Sequence, residues 1–178
     1  MDGFDPERAA WAILFAYALT LPPLLMALRG TEGRARLFWT LACLAVLALG
    51  LNKQLDLQTQ LTAIGRSIAR GGGWYAERRG VQRLFILGLG TSLAVLALWL
   101  GWLTRGLGGP VRLALGGLLL LGGFVLLRAA SFHHLDRLLR TDLLGTRAWV
   151  VIELTGIALV LAGSTWGAIR ARRGSRTP

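Results

Sequence analysis

Cysteine is almost absent from this chain: Cys43 stands alone among 178 residues. A single cysteine excludes an intrachain disulfide and any zinc or iron–sulfur site built from several thiolates. Lying inside an apolar run, Cys43 reads as a small buried hydrophobe. Histidine is nearly as scarce, and the 2 that occur are adjacent, His133 and His134. Neighbouring side chains cannot clamp a haem from both faces, so a bis-histidine haem within this chain is excluded. Acidic residues are few as well, 9 against 20 basic ones, for a net charge of +11. No basic helix or aromatic stacking platform stands clear of the apolar sequence, so that charge does not read as a nucleic-acid surface. Snorkelling arginines and anionic lipid headgroups account for it better. The first residues also lack the basic start of a signal peptide, since Met1–Arg8 carries Asp2, Asp5 and Glu7. The first apolar run is therefore read as a retained span.

What the chain has in quantity is long apolar sequence. Hydrophobic residues make up 54% and charged residues 16%, oilier than an ordinary soluble domain. Five apolar runs are bounded by arginines or turn residues, giving spans of about 9–28, 37–54, 84–103, 111–134 and 148–169. Roughly 20 apolar residues cross a hydrocarbon core of about 30 Å as a helix. In hydrocarbon every backbone N–H and C=O needs an internal partner, which makes these runs helices rather than open strands. The expected fold is an all-α, polytopic membrane helical bundle of five transmembrane helices, a single domain over residues 1–178 with the bilayer as its first partner.

Between spans two and three, Leu57, Leu61, Ile64 and Ile68 recur at helical spacing, flanked by Arg66 and Arg70. They predict an amphipathic interfacial helix within the 55–83 connection. Gly71-Gly72-Gly73 ends it, and Trp74-Tyr75 follows as an interfacial anchor. Pro22-Pro23 in span one predicts a kink, or a break of the kind that lines transporter sites. The short, glycine-rich connection Thr104–Pro110 makes spans three and four an antiparallel hairpin. Gly116, Gly123 and Ala130 recur every seven residues and form a smooth stripe for close helix approach. Gly163 and Gly167 at GxxxG spacing suit an internal packing face or an oligomer face, the internal one being the first expectation.

Parity locates the chemistry. The ends of spans two and four and the beginnings of spans three and five share one side of the membrane. That side receives Asn52, Lys53, Gln54, Asp56 and Gln58, then Trp74, Tyr75, Arg78 and Arg79, then Arg128, Ser131, His133, His134 and Asp136, and finally Glu153 about a turn inside span five. The opposite side receives short connections of glycine and arginine. On a helix His133 and Asp136 share a face at i,i+3, while His134 points about 100° away. Imidazoles and a carboxylate suit a metal ion if Asp56 or Glu153 supplies further ligands; hydrogen bonds within the interface, a proton relay or a quinone contact are the other readings. Glu153 within Val150–Leu154 must be protonated or paired, with Arg128 or Arg147 as candidate partners. Lys53 is the lone lysine beside nineteen arginines, and Asp56 at i,i+3 is its local candidate partner.

The segments Gly50–Gln58, Gly73-Trp74-Tyr75, Arg78-Arg79, Arg128–Asp136 and Glu153–Ile157 carry a resemblance. Together they are similar to a group of small, uncharacterised multi-span proteins of bacterial inner membranes, covering most of the chain from span two onward. The resemblance implies a bacterial inner-membrane protein and brings no established activity. Some relatives carry the label isopropylmalate isomerase, and this sequence argues against it. That enzyme is a soluble dehydratase whose cluster is held by three cysteines, whereas Cys43 stands alone in a span.

No catalytic motif is present, so the reading leans away from an enzyme. The expected function is a non-catalytic membrane subunit, scaffold or assembly factor with a one-sided polar binding face. Its partners are other membrane subunits or further copies of the chain, and nucleic acid is not among them. Two other readings stay open: a membrane metal or redox site on His133, His134, Asp136, Asp56 and Glu153, and a small transporter or oligomeric channel lined by Glu153, Lys53 and Asp56. Basic residues divide nine against eleven between the two sides, which the positive-inside rule cannot separate. The acidic start and basic tail favour an outside N-terminus and a cytoplasmic C-terminus.

Overall fold

In a computed structural model the chain is described over residues 5–55, 78–130, 142–143 and 146–174. These residues form five helices: α1 (Pro6–Arg29), α2 (Gly33–Leu55), α3 (Arg78–Leu103), α4 (Gly109–Ala130) and α5 (Ala148–Gly174). A two-residue antiparallel pairing of β1 (Asp142–Leu143) with β2 (Thr146–Arg147) leads into α5. Where they are described, the apolar runs are helical, as backbone accounting in lipid requires. Four of the helices are long and apolar enough to cross a bilayer: Glu7–Arg29, Gly33–Lys53, Gly109–Leu126 and Ala148–Arg173. α3 is one continuous helix of 26 residues, of which Gly90–Leu103 forms a shorter apolar segment among the described residues.

Several boundaries differ from those expected, and α5 runs five residues past its apolar run to Gly174. Residues 78–83, expected in the connection, already belong to α3, and α2 begins four residues earlier than the apolar run because Gly33–Arg36 continue its helix outward. The amphipathic segment from Asp56 to Glu77 and the stretch 131–141 lie outside the described residues.

Helix α1 begins where local chemistry places it. Asp5 caps the first turn by accepting hydrogen bonds from the amides of Glu7 at 3.0 Å and Arg8 at 3.3 Å, and Pro6 takes the first helical position. Pro22 and Pro23 do not break it: α1 runs through both to Arg29. The Thr20 hydroxyl, just before the pair, donates to the Tyr17 carbonyl at 2.7 Å.

The bundle is built around α5, which packs most extensively on α4 and α1, while α1 also packs along α2; α3 leans on α4 and touches α2. Its core comes from Ile13, Tyr17 and Leu24 of α1, Phe38, Trp39 and Val46 of α2, Leu121 of α4, and Ile157 and Val160 of α5. Close approach depends on glycines. A Cβ on Gly117 would lie 2.6 Å from the Gly156 carbonyl oxygen, and one on Gly163 would lie 2.6 Å from the Ala114 amide nitrogen and 2.7 Å from the Pro110 oxygen. Gly167 lies under the Trp39 ring, where a Cβ would come within 2.8 Å. The Gly163/Gly167 pair is thus an internal packing face. The expected stripe is corrected: a Cβ added to Gly116 or Gly123 would meet nothing within 4 Å, and the close contact falls to Gly117, about 100° around the helix.

The outer surface is apolar too. On α1, Trp11, Phe15, Leu19 and Leu25 point outward while Ile13, Tyr17, Leu24 and Ala27 are buried. Phe15 is 70% exposed and Leu98 75%, which water would penalise and lipid would not. A helix oily on both faces is buried in protein on one side and in hydrocarbon on the other. Exposed tryptophans mark the ends of this surface, Trp11 at one end and Trp99, Trp102 and Trp166 at the other, where aromatic rings meet headgroups.

Candidate functional site

Three polar side chains from three helices meet beneath one end of the bundle. Lys53, in the last turn of α2, places its Nζ 2.9 Å from Oε2 of Glu153 on α5. Tyr17 of α1 donates its hydroxyl to the other carboxylate oxygen, Oε1, at 3.3 Å. The Lys53 ammonium also sits 4.6 Å from the centre of the Trp149 ring, one turn before Glu153. Tyr17 and Glu153 are each 4% exposed, and the side chains of Lys53 and Glu153 are 14% and 6% exposed.

The local sequence explains how the cluster is held. Gly50 on α2 lies beside the Tyr17 side chain, with 3.7 Å, an ordinary van der Waals contact, between its would-be Cβ and that of Tyr17. Lys53 then follows about one turn later, on the same side of the helix. Trp149 and Glu153 are four residues apart, so ring and carboxylate stand one above the other and grip the ammonium between them. A carboxylate at this depth is costly unless a cation and further donors complete it, and here both its oxygens have a donor. The cluster fastens α1, α2 and α5 at one point.

Parity correctly brought the end of span two and the start of span five together. Glu153 takes Lys53 and Tyr17; the sequence had offered it Arg128 or Arg147 and had offered Lys53 Asp56, and the side chains of Arg128 and Asp56 lie outside the described residues. Tyr17 was missed. Its signal was a lone phenol inside the first apolar run, a polar tip that needs a partner when buried. Asn52 is half-buried beside Lys53. Gln54, Arg78, Arg79 and Arg128 lie on helices whose backbone alone is described there. Asp56, Gln58, Trp74, Tyr75, Ser131, His133, His134 and Asp136 fall outside the described residues. No group of three His, Cys, Asp or Glu side chains able to hold a metal occurs among the described residues.

Tyr17→Phe isolates the phenol's part, because it removes one hydrogen bond and little volume. The contact is long for an O–H donor, so a loss of about 1 kcal/mol is expected. Equilibrium unfolding in detergent checks it, and an unchanged midpoint would show that the 3.3 Å contact contributes nothing.

No protein-family model matches the chain, and neither a curated protein nor a solved structure matches it.

Proposed function

We propose that this chain is a non-catalytic component of a bacterial inner membrane, a five-span subunit or scaffold that presents a polar binding face at one end. The observation carrying this reading is that both oxygens of Glu153 are taken by side chains of the same chain. A carboxylate occupied in this way joins helices and leaves the adjacent connections, with Asp56, Trp74, Tyr75, His133, His134 and Asp136, to meet a partner. The fifth crossing is α3, whose 26 residues extend roughly 39 Å at 1.5 Å per residue. Arg29, Arg34, Arg36, Arg105, Arg112 and Arg170 gather at the end away from the cluster, beside a single described carboxylate, Glu32. With the acidic start and the basic tail, we read that end as the cytoplasmic one, which leaves the N-terminus outside.

A second reading rests on the same cluster. A lysine, a carboxylate and a phenol in line at membrane depth are also the parts of a proton or ion path, as a small transporter would use. Elemental analysis and an absorption spectrum of the mildly solubilised chain, beside His133→Ala/His134→Ala, test the subunit reading. A colourless, metal-free wild type is the expected result. One metal or chromophore per chain, lost in the double variant, would replace that reading with a cofactor site.

A further inference from the structure

The end of the bundle opposite the Lys53–Glu153 cluster is organised around the turn joining α3 to α4. There the Trp102 carbonyl oxygen accepts two hydrogen bonds, one from Nη2 of Arg34 at 2.7 Å and one from the Arg105 amide at 3.2 Å. The Arg34 guanidinium lies 5.3 Å from the centre of the Trp102 ring. On the other side of the turn the Gly108 oxygen accepts from the amides of Val111 at 3.1 Å and Arg112 at 3.4 Å. Arg170 of α5 reaches this glycine, since a Cβ on Gly108 would come within 2.6 Å of its Nη1, and its guanidinium is 6.0 Å from the Trp166 ring centre. Two guanidiniums, those of Arg34 and Arg170, are thereby held against one segment, residues 102–112, which itself carries Arg105 and Arg112. All four are exposed. No ion pair involving any of them is present among the described residues.

We propose that these four arginines form a docking surface for the phosphate headgroup of an anionic phospholipid. Guanidinium forks match phosphate oxygens in geometry as well as charge. Arg34 and Arg170 are already held against tryptophan faces, so less side-chain freedom is lost when a ligand binds. The depth is right for a lipid: Trp102 and Trp166 are exposed at the same level, where tryptophan marks the boundary between hydrocarbon and headgroups. A cluster of like charges whose end of the bundle has one carboxylate among the described residues, Glu32, needs a negative occupant, and the anionic leaflet supplies one. This inference concerns the end of the bundle away from the proposed partner face and stands whether or not that face binds a subunit.

The full chain in neutral detergent, titrated with short-chain phosphatidylglycerol, with phosphatidylcholine and with inorganic phosphate, tests it through the thermal midpoint. Phosphatidylglycerol is expected to raise the midpoint saturably and phosphatidylcholine to leave it unchanged. Arg105→Gln/Arg112→Gln is expected to weaken the phosphatidylglycerol response about thirtyfold, and Arg105→Lys/Arg112→Lys to weaken it less. The midpoint without added lipid reports whether each variant is folded; if the glutamine pair lowers it, the lysine pair, which keeps the charge, decides alone. Equal responses to the two lipids, a variant that titrates like wild type, or inorganic phosphate matching phosphatidylglycerol at equal concentration would each overturn the proposal. The last result would make this a site for soluble phosphate.

Discussion

Replacing Lys53 with methionine is expected to destabilise the bundle by about 3–5 kcal/mol, the usual cost of stranding one member of a buried ion pair. Glu153 is 4% exposed, and without the ammonium its carboxylate keeps, among the described residues, the Tyr17 hydroxyl at 3.3 Å. Glu153→Leu strands the ammonium instead and should cost a comparable amount, partly relieved because Lys53 lies near the end of α2 and can reach the headgroups. The double variant Lys53→Met/Glu153→Leu removes both charges and should return to within about 1 kcal/mol of wild type or exceed it. Unfolding of all four proteins in one detergent gives the coupling energy directly. If the double variant is as unstable as the sum of the two single ones, the pair is not a latch. If it is stable yet abolishes ion or proton flux in vesicles, the transport reading gains what the subunit reading loses.

Gly163→Ala and Gly117→Ala are expected to cost about 1–3 kcal/mol each through overpacking. The atoms in the way are backbone: the Ala114 nitrogen and Pro110 oxygen for residue 163, and the Gly156 oxygen for residue 117, all within 2.7 Å of the added carbon. Backbone in mid-helix cannot rotate aside, so α4 and α5 must separate along their whole contact. Gly116→Ala and Gly123→Ala are the controls. With nothing within 4 Å of the new carbon, they should be neutral, or stabilising by about 0.5–1 kcal/mol through helix propensity. Equal effects at Gly116 and Gly117 would mean that the α4 face turned towards α5 is misassigned.

The glycines also show where sequence reasoning stops. Period and length were enough to read the apolar runs as helices, because lipid leaves the backbone no alternative. They were not enough to say which side of α4 meets α5. Gly116-Gly117 and Gly122-Gly123 offer two smooth faces, and a seven-residue spacing says how closely a neighbour can approach without saying where it stands. The polar cluster was legible in part for a related reason. Lys53 and Glu153 each stood out by type, and parity set them at one end, but arginines 128 and 147 and Asp56 competed as partners on equal terms. Helix packing is what sets Lys53 against Glu153. Tyr17 was hidden by its ring, which fits an apolar run so well that its hydroxyl drew no attention. Pro22-Pro23 left a kink and a break both open from sequence, and α1 runs through the pair without a break.

The mass of the particle extracted in mild detergent, for the wild type and for Lys53→Met/Glu153→Leu, tests the central claim most directly. A structural subunit whose charged cluster only fastens its own helices should give, for both proteins, a particle heavier than one 19.2 kDa chain with its detergent. A wild type that runs as a single chain would contradict the account.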